Sequence, residues 1–509
     1  MRGFPGVGRI KLGHRCKLPG RRRRHGQLRI NDIIYPDVAL FIDGAWGAGR
    51  GAPLPVLNPA TGEAIGTVAH AKPADLDRAL AAAQRGLAQW RHSTGFERAR
   101  VLRRAAALLR ERAERIAELM TLEQGKVIAE ARQEVERGAE TCDWMAGEAQ
   151  RIEGRTIGGR AGNISQAVLK EPIGVVAAFT PWNFPINQMV RKLTGALAAG
   201  CAIIVKGPEE TPACCAELVR ALADAGVVAG AMNLVYGTPA EISEYLIPQS
   251  AVRKVSFTGS TAVGKQLAAL AGRHMKPVTM ELGGHAPVLI FDDADIEAAA
   301  RALCGNKFRC SGQSCINPTR FLIEQRVYAR FIEAFVATAR DIRVGDGLNP
   351  ASTMGPVANV RRLQAMEALT ADAVQQGARL RLGGHRIGER GYFFEPTVLS
   401  DVPLSARAMN EEPFGPIALM RSVNGLHEAI AEANRLAYGL AAYAFTRSAA
   451  SARAVIEGVQ SGMVSINHFG LGTPETPFGG VRDSGYGFEG GSEAIEAYLQ
   501  PRFVSVADL

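Results

Sequence analysis

Between Gly174 and Leu270 the chain alternates four times between a short apolar run and a longer helical pattern, and this rhythm constrains the fold more than any other feature. GVVAAFTP (Gly174 to Pro181) reads as a buried strand, with a helix following through Leu193 to Ala199. AIIVK (Ala202 to Lys206), NLVY (Asn233 to Tyr236) and KVSFTG (Lys254 to Gly259) repeat the strand. Each precedes a helix: Thr211 to Ala225, Glu241 to Leu246 and Ala262 to Leu270. Strand, helix and next strand in one sheet close as a right-handed unit with parallel strands, so the fold class is α/β. Ligands of such sheets bind beyond the carboxyl ends of the strands, and the chemically capable residues here fall at those ends.

A second α/β block runs from about Ala286 to Ile466. Pro73 to Glu153 is dominated by helical patterning, and order is expected to begin near Tyr35, where VALFIDGAW reads as a short strand entering a Gly turn. Pro477 to Asp508 begins Gly-rich and ends in the strand-like FVSV. A chain of 509 residues exceeds what one hydrophobic core serves, so two or more domains follow. No apolar run reaches the length of a membrane span, and a soluble, cytoplasmic protein is expected.

The net charge of +9 resides in one place. Met1 to Asn31 holds ten Lys or Arg and no acid; taking those ten from 59 leaves 49 basic residues against 50 acidic. Residues 1–34 therefore read as a basic extension, either a disordered tail or the product of an upstream start codon. A transit peptide or a nucleic-acid arm is the alternative, but no nucleic-acid or membrane partner is expected for a body of neutral charge. The eight cysteines form no C-x-x-C pair, which disfavours a metal site, and their sparseness suits a reducing compartment.

Two segments point to a cofactor. F-T-G-S-T-A-V-G-K (Phe257 to Lys265) leaves a strand and opens a helix, placing Gly259, Ser260 and Gly264 where unpaired helix N–H groups suit a phosphate. A plain strand-to-helix turn explains it equally well, since it lacks the G-x-G-x-x-G spacing. In V-K-G-P-E-E-T-P (Val205 to Pro212), Lys206 and Glu209 are placed to reach a ribose. A carboxylate accepts from both ribose hydroxyls and repels a 2′-phosphate, which favours NAD over NADP; a solvated charge pair is the alternative.

Three further motifs join these: F-T-P-W-N-F-P (Phe179 to Pro185), M-E-L-G-G (Met280 to Gly284) and C-S-G-Q-S-C (Cys310 to Cys315). With F-T-G-S-T and E-E-P-F-G-P (Glu411 to Pro416), they resemble the aldehyde dehydrogenase superfamily from about Val38 to Val506. The resemblance implies a Rossmann-type NAD-binding domain (35–154 and 171–285), an α/β catalytic domain (286–476) and a small β oligomerisation segment (155–170 and 477–509). It also implies a homodimer or homotetramer. Cys315 would be the nucleophile, Glu281 the general base and Asn183 the oxyanion-hole side chain. Glu412 and Phe414 would contact the nicotinamide ribose and ring, Lys206 and Glu209 the adenine ribose, and the Gly259, Ser260, Gly264 turn the pyrophosphate, with Trp182 and Leu282 also among the cofactor-binding residues. Outside such a set, a lone Cys is usually a small buried hydrophobe.

Arg191, Arg309 and Thr473 match the residues that hold the substrate carboxylate in succinate-semialdehyde dehydrogenases, implying a small carboxylate-bearing aldehyde, succinate semialdehyde foremost. Other semialdehydes, aromatic aldehydes, and a catalytically idle protein on the same scaffold are the alternatives, as are structural ion pairs for the two arginines. Cys310, five residues before Cys315, is either an inert buried thiol or the partner in a reversible disulfide.

Overall fold

The computed structural model describes residues 33–508, and the basic extension expected at the N-terminus lies essentially outside them. Five parallel strands, Val175–Phe179, Ala202–Lys206, Met232–Val235, Val252–Thr258 and Val278–Glu281, form the centre of an eight-stranded sheet. Their near-continuous burial follows from helices on both faces, which leave no polar side for alternation. The crossover helices Pro185–Ala199, Pro212–Ala225 and Pro239–Leu246 each start on a proline, whose missing N–H costs nothing in the first turn. The first two end on Gly200 and Gly226 in the left-handed region.

The antiparallel hairpin Leu40–Ile42 and Ala45–Gly47 closes one edge of this sheet, and Gly485–Tyr486 closes the other against Val278–Glu281. A seven-stranded sheet, parallel but for the edge strand Arg379–Leu382, forms the second layer system around Ala286–Ile290 and Pro318–Glu324. Only Leu282 to His285 separates a strand of the first sheet from a strand of the second. Arg155–Gly158, Ile164–Pro172 and Leu499–Ala507 make a separate three-stranded antiparallel sheet.

The 477–509 segment is thus divided. Its last strand joins the small sheet, but Gly485–Tyr486 belongs to the eight-stranded one, because Gly485 at φ +108 brings its backbone within what a Cβ would make a 1.8 Å contact with the Met280 carbonyl. Among the described residues no helix is long and apolar enough to cross a membrane.

Candidate active site

Cys315 lies between a short helical turn, Arg309–Gly312, and the strand Pro318–Glu324. Cys310, Ser311 and Gly312 all take positive φ (50°, 53° and 71°), so the chain reverses sharply before the thiol. Buried hydrogen bonds hold that reversal. The Cys310 N–H donates to Glu130 at 2.9 Å, Ser311 Oγ donates to the Gly355 carbonyl at 2.8 Å, and Gln313 Oε1 accepts from the Ala358 N–H at 2.9 Å. Gly312 is packed so closely on the Gly415 backbone that a Cβ would stand 2.1 Å from its carbonyl. Gly284 does the same for Cys315, whose carbonyl a Cβ there would meet at 2.3 Å.

Two clefts meet at this thiol. One, of about 650 Å³, is lined by Trp182, Asn183, Gly259, Ser260, Glu281, Leu282, Glu412 and Phe414 as well as Cys315. It opens beyond the carboxyl ends of Val175–Phe179, Val252–Thr258 and Val278–Glu281, the place an α/β sheet reserves for ligands. The helix Thr261–Arg273 starts there with Ser260 as its N-cap, and its first N–H groups have no partner within the helix. Thr258 Oγ1 is buried in the cleft wall without a hydrogen bond among the described residues. The Trp182 and Phe414 rings meet edge-to-face at 5.7 Å, and Glu412 accepts from the Gly284 N–H at 3.0 Å. These features fit an elongated, phosphate-bearing aromatic cofactor.

Gly264 has another task. A Cβ there would lie 2.2 Å from Leu282 Cδ2, so this glycine packs the helix against the M-E-L-G-G segment and does not face the cleft. Lys206 and Glu209 also stand outside the cleft lining: they pair with each other at 2.6 Å beyond the Ala202–Lys206 strand, and Glu209 accepts from the Gly237 N–H at 3.1 Å.

The second cleft, of about 440 Å³, contains Arg191, Arg309, Thr473 and three phenylalanines, Phe184, Phe469 and Phe478. The two arginines differ in freedom. Arg191 donates from Nη2 to the Gly472 carbonyl at 2.7 Å and from Nη1 to the Glu489 carbonyl, with its guanidinium 4.9 Å above the Phe478 ring. Arg309 is exposed and stacks on Phe184 at 5.7 Å, with no hydrogen bond or ion pair to its guanidinium among the described residues. Thr473 Oγ1 lies 3.2 Å from Thr476 Oγ1.

The electrostatics around the thiol are governed by burial. Cys315 is pushed up to about 12, first by desolvation and then by the Glu412 and Glu281 carboxylates, with Arg191 opposing. Glu281 is raised well above the usual carboxylate range by desolvation and the nearby Glu489, while Lys192 and Arg191 pull it back. Both Glu281 oxygens are buried without a hydrogen bond among the described residues. Glu412 rises to about 7 on burial, against the Gly284 N–H and Arg362. Asn183 donates from Nδ2 to the Gln313 carbonyl at 3.0 Å. An amide NH₂ carries two hydrogens, so one donor remains for a ligand atom beside the thiol.

A family model described as the aldehyde dehydrogenase family matches residues 46–504. The chain belongs to the aldehyde dehydrogenase family. This aldehyde dehydrogenase is 47% identical, over 93% of its length and 99% of the relative's, to a putative 4-(hydroxymethyl)benzenesulfonate dehydrogenase of Comamonas testosteroni. It is 39% identical to the NADP(+) succinate-semialdehyde dehydrogenase of Escherichia coli, covering 94% of this chain and all of that one. The crystal structure of succinate-semialdehyde dehydrogenase from Burkholderia pseudomallei superposes with a TM-score of 0.91 at 39% identity, over 95% of this chain and 100% of that one. Enzymes of the aldehyde dehydrogenase family act on small aldehydes with a nicotinamide cofactor.

Sequence reasoning passed over several residues of the dehydrogenase site. Lys126 pairs with Glu134 in full burial and donates to the Asn183 carbonyl at 2.9 Å; Glu134 in turn accepts from the Ile186 N–H at 3.0 Å and caps the helix behind P-W-N-F-P. Lys192 pairs with Glu489, and Ser256 Oγ donates to the same carboxylate at 3.1 Å. Gln188 lines both clefts with Cys315. The one signal available was position: Lys192 follows Arg191, and Glu489 lies within the Gly-rich start of the tail, before Gly490 and Gly491. Cys310 is buried, with Sγ against the Asn183 carbonyl (3.6 Å) and Gln124 Nε2 (3.4 Å).

Proposed function

We propose that this aldehyde dehydrogenase oxidises an anion-bearing aldehyde to its carboxylic acid through a thioester on Cys315, with NAD as preferred cofactor. The observation that carries the reading is the place of Cys315 where the two clefts meet, with the Asn183 amide and the Glu281 carboxylate on its cofactor side. Cys315 Sγ releases its proton to water in the aldehyde cleft and bonds to the aldehyde carbon, whose C=O π electrons move onto the oxygen. The resulting oxyanion is stabilised by the free Asn183 hydrogen and the Cys315 N–H, an effect worth about 3–4 kcal/mol per donor. A nicotinamide held in the other cleft by Trp182, Glu412 and Phe414 would supply the hydride acceptor. Loss of hydride from the former aldehyde carbon leaves the thioester. Glu281, ionised, then takes a proton from water as the oxygen attacks that carbon, and the acid leaves with the Cys315 sulfur restored.

Support for NAD is the position of Glu209 just beyond the Ala202–Lys206 strand, where a carboxylate disfavours a 2′-phosphate; it lies outside the cleft lining and Lys206 offsets part of its charge, and a relative of this chain is named for NADP(+). Succinate semialdehyde is the substrate favoured by Arg191, Arg309 and Thr473, with Arg309 as the unengaged cation. A second reading, an aromatic aldehyde with a sulfonate or carboxylate, is favoured by the three phenylalanines of the cleft and by the relative named for a benzenesulfonate. The test compares kcat/KM for succinate semialdehyde, 4-formylbenzenesulfonate, butanal and benzaldehyde, each with NAD and NADP. At least one anionic aldehyde is expected to exceed its uncharged counterpart tenfold or more, through charge-assisted pairing with arginine. Equal values for charged and uncharged aldehydes would overturn the anion reading, and equal use of NAD and NADP would overturn the cofactor preference.

A further inference from the structure

The wall of the aldehyde cleft opposite the Phe469 to Thr473 loop is one face of the long helix Ile128–Ala149. Gln133, Glu136, Arg137 and Glu140 stand at intervals of three, one and three residues, so they share a helical stripe, and all four line the cleft. A charged stripe on a helix usually faces bulk water. Here it faces a cleft that ends at a thiol.

The charges on this stripe are unequally committed. Glu136 accepts from Arg110 at 2.8 Å, and Arg110 also binds Asp143, so Glu136 is neutralised from outside the cleft. Arg137 pairs with Glu140 at 3.0 Å, and both side chains remain more than two-fifths exposed. An exposed pair spaced i, i+3 contributes little, so Glu140 is readily exchanged for another anion. Arg191 is fixed by two carbonyls and a ring, whereas Arg309 lies on Phe184 with no hydrogen bond or ion pair among the described residues, its charge felt only at a distance by the buried Glu130. Arg137 is near enough to Arg191 for its charge to work, after burial, against the Arg191 guanidinium. Three cations thus share a cleft whose acids are few and already paired.

We propose that Arg137 is a third anion-binding and specificity-determining residue of the aldehyde cleft, exchanging Glu140 for the anionic group of a para-substituted aromatic aldehyde. This rests on the reading of the cleft as a site for anionic aldehydes and deepens it. A ring places its para substituent rigidly far from the reacting carbon, beyond where a four-carbon chain ends. The aromatic walls Phe184, Phe469 and Phe478 suit the ring, and Arg137 with Arg309 supplies bidentate donors at its far side.

The experiment measures kcat and KM for 4-formylbenzoate, 4-formylbenzenesulfonate, succinate semialdehyde and benzaldehyde in the wild type and in Arg137→Gln, Arg137→Lys, Arg309→Gln and Glu140→Gln. Protection of Cys315 from iodoacetamide by terephthalate reports anion binding without turnover. Arg137→Gln is expected to lower the ratio of kcat/KM for either aromatic anion over benzaldehyde at least tenfold, through KM, and to weaken terephthalate protection to match. Arg137→Lys restores part of both, and Glu140→Gln lowers KM for the aromatic anions. A smaller effect on succinate semialdehyde than on the aromatic anions is expected. If Arg309→Gln collapses the ratio while Arg137→Gln leaves it intact, the anionic cleft stands and the assignment of Arg137 falls. If neither variant moves it, both fall.

Discussion

Glu281 is buried with both oxygens unpaired, and its carboxyl holds a proton far above the ordinary range because of that burial and of Glu489. The unfolded chain releases this proton near its ordinary pKa of about 4.3. Folding therefore takes up a proton between that value and the raised one, and stability falls as pH climbs through the interval. Glu281→Gln removes the titration while keeping the shape. Its thermal midpoint is expected to exceed the wild type by about 2 °C or more at pH 8 and the difference to vanish only as pH falls to about 4, by calorimetry. Turnover is expected to stop after the first hydride transfer, seen as a burst of reduced cofactor without a steady state. At Cys315, the Glu412 charge is the largest raising influence after burial, so Glu412→Gln is expected to speed alkylation by iodoacetamide at pH 8 several-fold. An unchanged rate would show that burial alone sets the thiol. That Cys315, Glu281 and Asn183 belong together was legible in the sequence because each sits in a dense local motif, and the three line one cleft. The Lys126–Glu134 and Lys192–Glu489 pairs were not, since their meanings arise only from partners far along the chain and from burial.

At the scale of elements, the strand-helix rhythm was readable because three of its four crossover helices begin on proline and two of them, Pro185–Ala199 and Pro212–Ala225, stop on glycine, signals that act within a few residues; Thr261–Arg273 instead begins after Ser260. The glycines of M-E-L-G-G were readable as letters but not as causes. Gly283 admits Glu412, whose Oε2 would stand 2.8 Å from a Cβ, and Gly284 admits the Cys315 backbone. Gly284→Ala is expected to displace the nucleophile loop and to lower kcat by roughly 10- to 100-fold, since a shift near 1 Å misaligns attack. Cofactor affinity, followed by fluorescence quenching, is expected to change far less. The helix Ile128–Ala149 was read only as a block of helical patterning, because nothing local says that its charged stripe meets a cleft rather than solvent.

For the whole molecule, Arg155–Gly158, Ile164–Pro172 and Leu499–Ala507 form a small sheet that exposes Leu169, Phe503 and Val506. Apolar residues gathered on one exposed sheet fit association between subunits, in line with the expectation of a homodimer or homotetramer. Phe503→Asp combined with Val506→Asp is expected to reduce the mass measured by light scattering to a smaller species with an unaltered circular dichroism spectrum. A native mass unchanged by the pair would place the interface elsewhere. The sequence showed that the tail ends in a strand, but not that Gly485–Tyr486 leaves it to edge the large sheet, because edge pairing of two residues has no periodicity to read.

The two clefts have only Gln188 and Cys315 in common among their described lining residues. One cleft is built from strand ends of the eight-stranded sheet, the other largely from the Ile128–Ala149 helix and the 469–478 loop. Substitutions in that helix or that loop are therefore free to reshape one cleft while the strand ends that frame the other keep their places, so the two sides of the thiol can vary in evolution largely apart.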